Sequence, residues 1–330
     1  MRKIVVITGA GAGVGRATAE AFARAGYDVG LLGRDRARLD ATAEALGALG
    51  VRSLVQIVDV ADANAVEAAA DQVEAKLGPI DIWVNNAMAT IFAPVGDVTP
   101  DEYRRATEVT YLGTIHGCKA AMRLMNRRGK GVIINVGSAL AYRSVPLQSA
   151  YCGAKSAIRG FTDSLRSELI HDRSGIKLCM VHLPAVNTPQ FDWALNKMGR
   201  RPQPVPPIYA PEVPARAILY AALHPRREIW VGFPTIKAIL ANRIAPAFTD
   251  WYLARAGYSG QLTPEPEPEG RPANLFEPVP GAYGARGRFT ARERKLSLEM
   301  FSGRHKVASL LIGFGLAAAA LGLLGRSDKA

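Results

Sequence analysis

Cysteine is scarce in this 330-residue chain: Cys118, Cys152 and Cys179 are odd in number and form no metal-like cluster. That excludes a disulfide framework and leaves no closely spaced metal-ligand set; reduced thiols in a cytosolic setting are the reading. No signal peptide is expected either, because Met1-Arg2-Lys3 runs straight into the strand pattern Ile4-Val5-Val6-Ile7. Acidic residues are outnumbered, 29 Asp and Glu against 41 Lys and Arg, for a net charge of +12. From Arg286 onward there are nine Lys or Arg and three Asp or Glu, so half of the excess lies in a short tail. No recognition module and no interleaved aromatics accompany that charge, which argues against nucleic acid as a partner. A negatively charged membrane surface fits better.

Apolar residues make up 48% of the chain, with length enough for one large domain or two modest ones. Strand and helix patterns alternate from the start, which predicts an α/β fold with a doubly wound parallel sheet. Ile4–Ile7 reads as the first strand and leads into Thr8-Gly9-Ala10-Gly11-Ala12-Gly13-Val14-Gly15, then a helix through Ala17, Ala21, Phe22 and Ala25. A glycine-rich turn between a strand and a helix N-terminus lets backbone amides approach a pyrophosphate. The usual G-x-G-x-x-G spacing is absent; Gly9, Gly13 and Gly15 stand as G-x-x-x-G-x-G. The second strand, Val29–Leu32, ends in Gly33-Arg34-Asp35. An acid about 20 residues past the turn would hold a free ribose 2′-hydroxyl. Gly33 occupies that place, and the fork of Arg34 suits a 2′-phosphate, so NADP(H) is favoured, with Asp35 the argument for NAD(H).

Farther on, Ser138 follows the buried-strand pattern Val132–Val136, where open α/β sheets place their ligands. Thirteen residues later come Tyr151 and Lys155, one helical turn apart on one face. A phenol titrates near pKa ~10, and an ammonium beside it favours the phenolate.

These features, in order and in register, resemble the short-chain dehydrogenase/reductase family over residues 1–235. The motifs are Thr8-Gly9-x-x-x-Gly13-x-Gly15, Asp59-Val60, Asn85-Asn86-Ala87, Ser138 and Tyr151-x-x-x-Lys155. The resemblance implies roles. Tyr151 is the acid or base at the carbonyl oxygen, Ser138 polarises that oxygen, and Lys155 holds the nicotinamide ribose and lowers the tyrosine pKa. Asp59 and Val60 bracket the adenine, Asn86 and Ala87 lie on the adenosine ribose side, Val14 belongs to the glycine-rich turn, and Thr188 reaches the carboxamide. Three departures stand out: Met88 where the family usually has glycine, Ala185 after Pro184 where it has a second glycine, and Thr110 where a catalytic asparagine anchors a relay water. A threonine hydroxyl both donates and accepts, so the relay is expected to persist through Thr110. Family members are usually dimers or tetramers, which implies a homo-oligomer.

Beyond the sixth strand (Lys177–Leu183), the stretch from Pro189 to Tyr209 reads either as a substrate-covering loop or as a surface loop whose aromatics pack on the core. Residues 236–260 form a helical extension, with an apolar stripe (Ile239, Leu240, Ile244, Phe248, Trp251, Leu253) expected to pack against the domain. Residues 261–303 read as a linker, stiff at Thr263–Glu269 and weakly ordered after it. The last part, 304–330, holds nineteen charge-free residues, Val307–Gly325. As a helix these span about 28 Å, close to the ~30 Å of a hydrocarbon core, and predict a C-terminal membrane anchor.

The sequence therefore predicts a cytoplasm-facing, membrane-tethered NADP(H)-dependent oxidoreductase on a lipophilic carbonyl or alcohol. Two other readings stand beside it: a soluble NAD(P) enzyme on a small polar substrate with the last helix buried, and a dinucleotide-binding scaffold or sensor with weak catalysis.

Overall fold

The computed structural model describes residues 2–297. The predicted membrane-crossing stretch 307–325 lies outside the described residues; among those described, no helix is long and apolar enough to cross a membrane.

Seven strands form the central sheet: β1 (Ile4–Thr8), β2 (Asp28–Gly33), β3 (Ser53–Ile57), β4 (Ile80–Asn85), β5 (Gly131–Ser138), β6 (Ile176–Leu183) and β7 (Glu228–Trp230). They lie in the order β3-β2-β1-β4-β5-β6-β7, and every pairing is parallel. Side chains alternate across the pleat. Ile4 and Val6 join one apolar cluster, Val5 and Ile7 the other. The first cluster is closed by α3 (Ala63–Lys76), α5 (Gly113–Asn126) and α6 (Ser149–His171), the second by α1 (Gly13–Arg24), α2 (Arg36–Gly47) and α7 (Glu212–Leu223). The result is three layers, doubly wound as the alternating pattern predicts. Strand order reverses between β1 and β4, and their carboxyl ends open the crevice where such sheets bind ligands.

Two expectations about the C-terminal third fail. The stripe in 236–260 does form helices, α8 (Phe233–Ile244) and α9 (Pro246–Ala256), broken at Pro246. Within it only Ile239 is fully buried; Leu240, Ile244, Phe248 and Trp251 are exposed, Ile244 by 81%. Thr235 and Ile239, four residues apart, form the packed face of α8, and the row one residue on (Leu240, Ile244) is turned away by the helical rotation.

Nor does the Pro/Glu-rich stretch stand off as a spacer. Leu262–Pro266 pairs antiparallel with Arg200–Pro202, and Glu293–Arg294 pairs in parallel with Ile208–Tyr209. Prolines lack an amide but keep a carbonyl acceptor, so such a segment can serve as an edge strand. Between these anchors the chain buries Leu275, Val279 and Phe289. A fully buried side chain of this kind is worth about 1.5–3 kcal/mol, enough to hold a segment without regular secondary structure.

Candidate active site

The glycine-rich turn joins β1 to α1. Gly9 and Gly13 sit at φ 68° and 56°, where a Cβ is disfavoured, and a Cβ at Gly15 would run into the Gly9 carbonyl. The carboxyl ends of β1 and β4 are stapled by Thr8, whose Oγ1 accepts from the amides of Asn86 (2.9 Å) and Ala87 (3.0 Å). Asn86 Nδ2 donates back to the Thr8 carbonyl at 3.0 Å. Thr8 and Gly15 thus shape the turn from behind, whereas Gly9, Gly13, Val14, Asn86 and Ala87 line one continuous cavity of about 480 Å³. A turn of glycines that allows close backbone approach, at a helix N-terminus, suits the pyrophosphate of a dinucleotide.

At one end of the cavity lie Gly33, Arg34, Asp35, Arg38, Asp59 and Val60. Asp35 caps α2, accepting from the Arg38 amide at 2.9 Å and from Arg38 Nη2 at 2.8 Å, so its carboxylate is already engaged within its own turn. Asp59 is ion-paired with Arg105. Burial raises the Asp59 pKa, but hydrogen bonds from Arg105 and the Ala61 amide outweigh it and hold the carboxyl below its usual range. Arg34 donates through Nη1 to the Phe276 carbonyl and through Nη2 to the Asn274 carbonyl, both at 2.5 Å.

At the other end the structure brings Ser138, Tyr151 and Lys155 together. Ser138 ends β5 and its Oγ accepts from the Leu140 amide at 3.1 Å, which fixes the hydroxyl. Tyr151 and Lys155 come from the first turns of α6. Lys155 is buried, and its Nζ donates to the Val136 carbonyl at 2.6 Å. Their titration departs from the sequence expectation of a lysine-depressed phenol. Burial pushes Tyr151 up to about 12, against the lowering effect of its hydrogen bond with Ser138. Burial also brings Lys155 down to about 7.

Thr110, expected in the relay, is engaged within the protein. It lies in a single π-helical turn, Glu108–Leu112, between α4 (Pro100–Thr107) and α5, fully buried, while Val109 beside it lines the cavity. Its Oγ1 accepts from the Ala89 amide at 2.9 Å and donates to the Ala89 carbonyl at 3.2 Å. The donor and one of the two acceptor sites of the hydroxyl serve the loop after β4, and Thr110 itself does not line the cavity.

Between these ends, Met88 and Ala185, the two departures from the family's glycines, both line the cavity, as does Thr188. The wall beyond Ser138 is mostly apolar: Leu140, Val145, Phe191, Val205, Pro234 and Leu253. Phe191 also packs with Phe92 and Phe289, so the 189–209 loop both covers the cavity and packs on the core. Gln148 and His182 carried no signal in the sequence. Gln148 lines the cavity and is held by Gln261 at 2.6 Å. His182 sits behind the site with Nδ1 at 3.1 Å from the Ser138 carbonyl oxygen. Each is a lone polar residue in an ordinary local pattern, given meaning only by its neighbours in space.

A sequence model of the short chain dehydrogenase family matches residues 3–198. Over 318 residues the chain is 29% identical to an uncharacterized oxidoreductase, YxnA, of Bacillus subtilis (strain 168), covering 96% of this chain and 89% of that protein. A putative oxidoreductase, SadH, of Mycobacterium tuberculosis is 32% identical over 240 residues, 70% of this chain and 86% of SadH. Among solved structures, an alcohol dehydrogenase from the archaeon Thermococcus sibiricus complexed with 5-hydroxy-NADP superimposes with a TM-score of 0.61 at 27% identity. That match covers 70% of this chain and 96% of the archaeal one.

Proposed function

Because the chain belongs to the short-chain dehydrogenase family, whose members are oxidoreductases using a nicotinamide dinucleotide, we propose that it is an NADP(H)-dependent enzyme acting on a lipophilic carbonyl or alcohol. The observation that carries this reading is one cavity running from Arg34 and the glycine-rich turn to Ser138 and Tyr151, then on to an apolar wall. When bound, the nicotinamide supplies the hydride; the protein supplies position and electrostatics.

In reduction, Tyr151 gives its phenolic proton to the substrate oxygen, and in oxidation it takes that proton back. Ser138, with its hydroxyl held by the Leu140 amide, polarises the oxygen. Lys155 holds the nicotinamide ribose through Nζ and restores the charge that the phenolate needs. The turn with Gly9, Gly13 and Val14 takes the pyrophosphate, Asp59 and Val60 flank the adenine, Asn86 and Ala87 border its ribose, and Thr188 meets the carboxamide. NADP(H) over NAD(H) follows from Arg34 at the ribose end and from the engagement of Asp35 with Arg38.

The lipophilic class rests on Leu140, Val145, Phe191, Val205 and Leu253 around the reacting end. Gln148, a polar group there, is already engaged by Gln261. Membrane apposition belongs to the same reading. The α8–α9 pair exposes Phe233, Leu240, Ile244, Phe248, Trp251 and Tyr252 beside Lys237, Arg243 and Arg255, a mix that suits a lipid interface, and its other side lines the cavity through Pro234, Ala238 and Leu253.

The test is a turnover screen that follows cofactor absorbance over matched long-chain and short polar alcohols and carbonyls. NADPH-dependent turnover that rises with apolar chain length is expected. Turnover only on the polar members would refute the substrate class, and none on any member would favour a dinucleotide-binding scaffold.

A further inference from the structure

Residues 271–294 cross the cofactor cleft from one side to the other and return. Arg34 reaches the carbonyls of Asn274 and Phe276, Arg38 that of Val279 at 3.1 Å, and Arg105 that of Leu275 at 3.1 Å. The chain then passes over the glycine-rich turn, where the Gly13 amide donates to the Gly284 carbonyl at 3.1 Å. Asn187, next to Thr188, closes the far end by accepting from the Phe289 amide at 3.0 Å and donating to Glu293 at 2.7 Å. Packing reinforces the course: Leu275 is 1% exposed within the main core, and Tyr283 stands edge-on to Trp193 at 4.7 Å, with the Arg38 guanidinium between strap and body. Asn274 and Pro278 line the same cavity as Arg34 and Asp59.

We propose that this C-terminal strap is the outer wall of the adenosine site, with Asn274 and Pro278 as cofactor-contacting residues, and that it retains the dinucleotide by closing over it. The proposal rests on the nicotinamide reading above. Its physical basis is that the contacts to the strap come from the elements that hold the cofactor: the Arg34 and Arg38 side chains, the Gly13 amide and the residue beside Thr188. Entry or exit of the adenosine end requires these contacts to part together, so exchange is limited by opening of the strap. The strap also aims Arg34. With two of its N–H groups held by carbonyls, the guanidinium has fewer orientations where it lines the cavity.

The experiment measures dinucleotide release from the full-length protein. NADPH is bound, an excess of competing NADP⁺ is added, and the dissociation rate is followed by nicotinamide fluorescence in wild type, Leu275→Ala and Tyr283→Ala. Protease cleavage within 271–294 is followed in parallel with and without NADPH. Release at least tenfold faster in either variant, with bound NADPH protecting the strap from cleavage in wild type, is the expected result. Tyr283→Ala is the milder change and keeps the test alive should Leu275→Ala fail to fold. Release equal within twofold in all folded proteins, or cleavage indifferent to NADPH, overturns the strap alone. Failure of both NADPH and NADH to bind wild type overturns the strap and the nicotinamide reading together.

Discussion

Thr110 and Ala89 form a closed pair in which one hydroxyl serves both the amide and the carbonyl of one residue, at 2.9 and 3.2 Å. The pair ties the π-helical turn before α5 to the loop that follows β4, and so positions Met88 and Ala87 at the cavity. Loss of the hydroxyl leaves a buried amide unsatisfied. Thr110→Ala is expected to cost about 1–3 kcal/mol in unfolding free energy, and Thr110→Ser, which keeps both bonds, much less. Urea denaturation of the three proteins checks this; equal midpoints would show that the pair is dispensable. Thr110→Asn is expected to overpack the site by a similar about 1–3 kcal/mol without raising turnover.

Cofactor choice gives a second prediction. Arg34→Ala should weaken NADPH by about 1.5–3 kcal/mol, roughly 10- to 150-fold, and NADH far less, because only the former offers a phosphate for a charge-assisted bond. Titration of both cofactors into both proteins checks it. Equal losses, or a wild type that prefers NADH, would remove Arg34 from the specificity determinants.

Tyr151→Phe deletes the phenolic proton and little else, so it should bind NADPH as wild type does and keep less than about 1% of its turnover, in line with the ~10²–10⁴-fold worth of general acid catalysis. Lys155→Met should weaken both binding and turnover. A Tyr151→Phe protein with a tenth of wild-type activity on a substrate from the screen would mean that another group moves the proton.

The buried lysine also sets a pH dependence of stability. In the folded protein Lys155 titrates at about 7, against 10.5 as its ordinary value. Between these values the unfolded chain binds the extra proton and the folded protein does not, so unfolding free energy rises with pH across this window and the penalty is complete below it. Melting temperatures of cofactor-free wild type should therefore climb from pH 7 to 9.5 more steeply than those of Lys155→Met. Parallel curves would place the lysine proton elsewhere.

Association with membranes is the fifth prediction. If 307–325 crosses a bilayer, full-length protein should stay with membranes through high salt and alkaline carbonate, since salt screens only surface charge. A truncation after Gly303 should be released by alkaline carbonate, because contact through α8–α9 and basic residues would reach only the interface, and no described helix is long and apolar enough to span. Full-length protein in the soluble fraction before any wash would refute the anchor.

The local pattern alone determined the doubly wound sheet and the order of its motifs. Runs such as Ile4–Ile7 and Val132–Val136 are apolar on both pleat faces because both faces are covered by helices, and that is legible one residue after another. Gly9, Gly13 and Gly15 were legible for a similar reason, since left-handed φ and close backbone approach leave glycine as the residue that fits. What escaped the sequence depends on contacts between distant segments. That the Thr110 hydroxyl bonds to Ala89 depends on where the loop after β4 lies against the π-helical turn, which helical periodicity does not report. The titration of Tyr151 and Lys155 depends on how much water surrounds them, which helix spacing cannot report. The segment 271–294 has neither helical nor strand periodicity, so its sequence predicts a weakly ordered linker. Its order comes from a few buried side chains and from guanidinium groups more than 150 residues away that find its carbonyls, and only the tertiary structure brings those partners together.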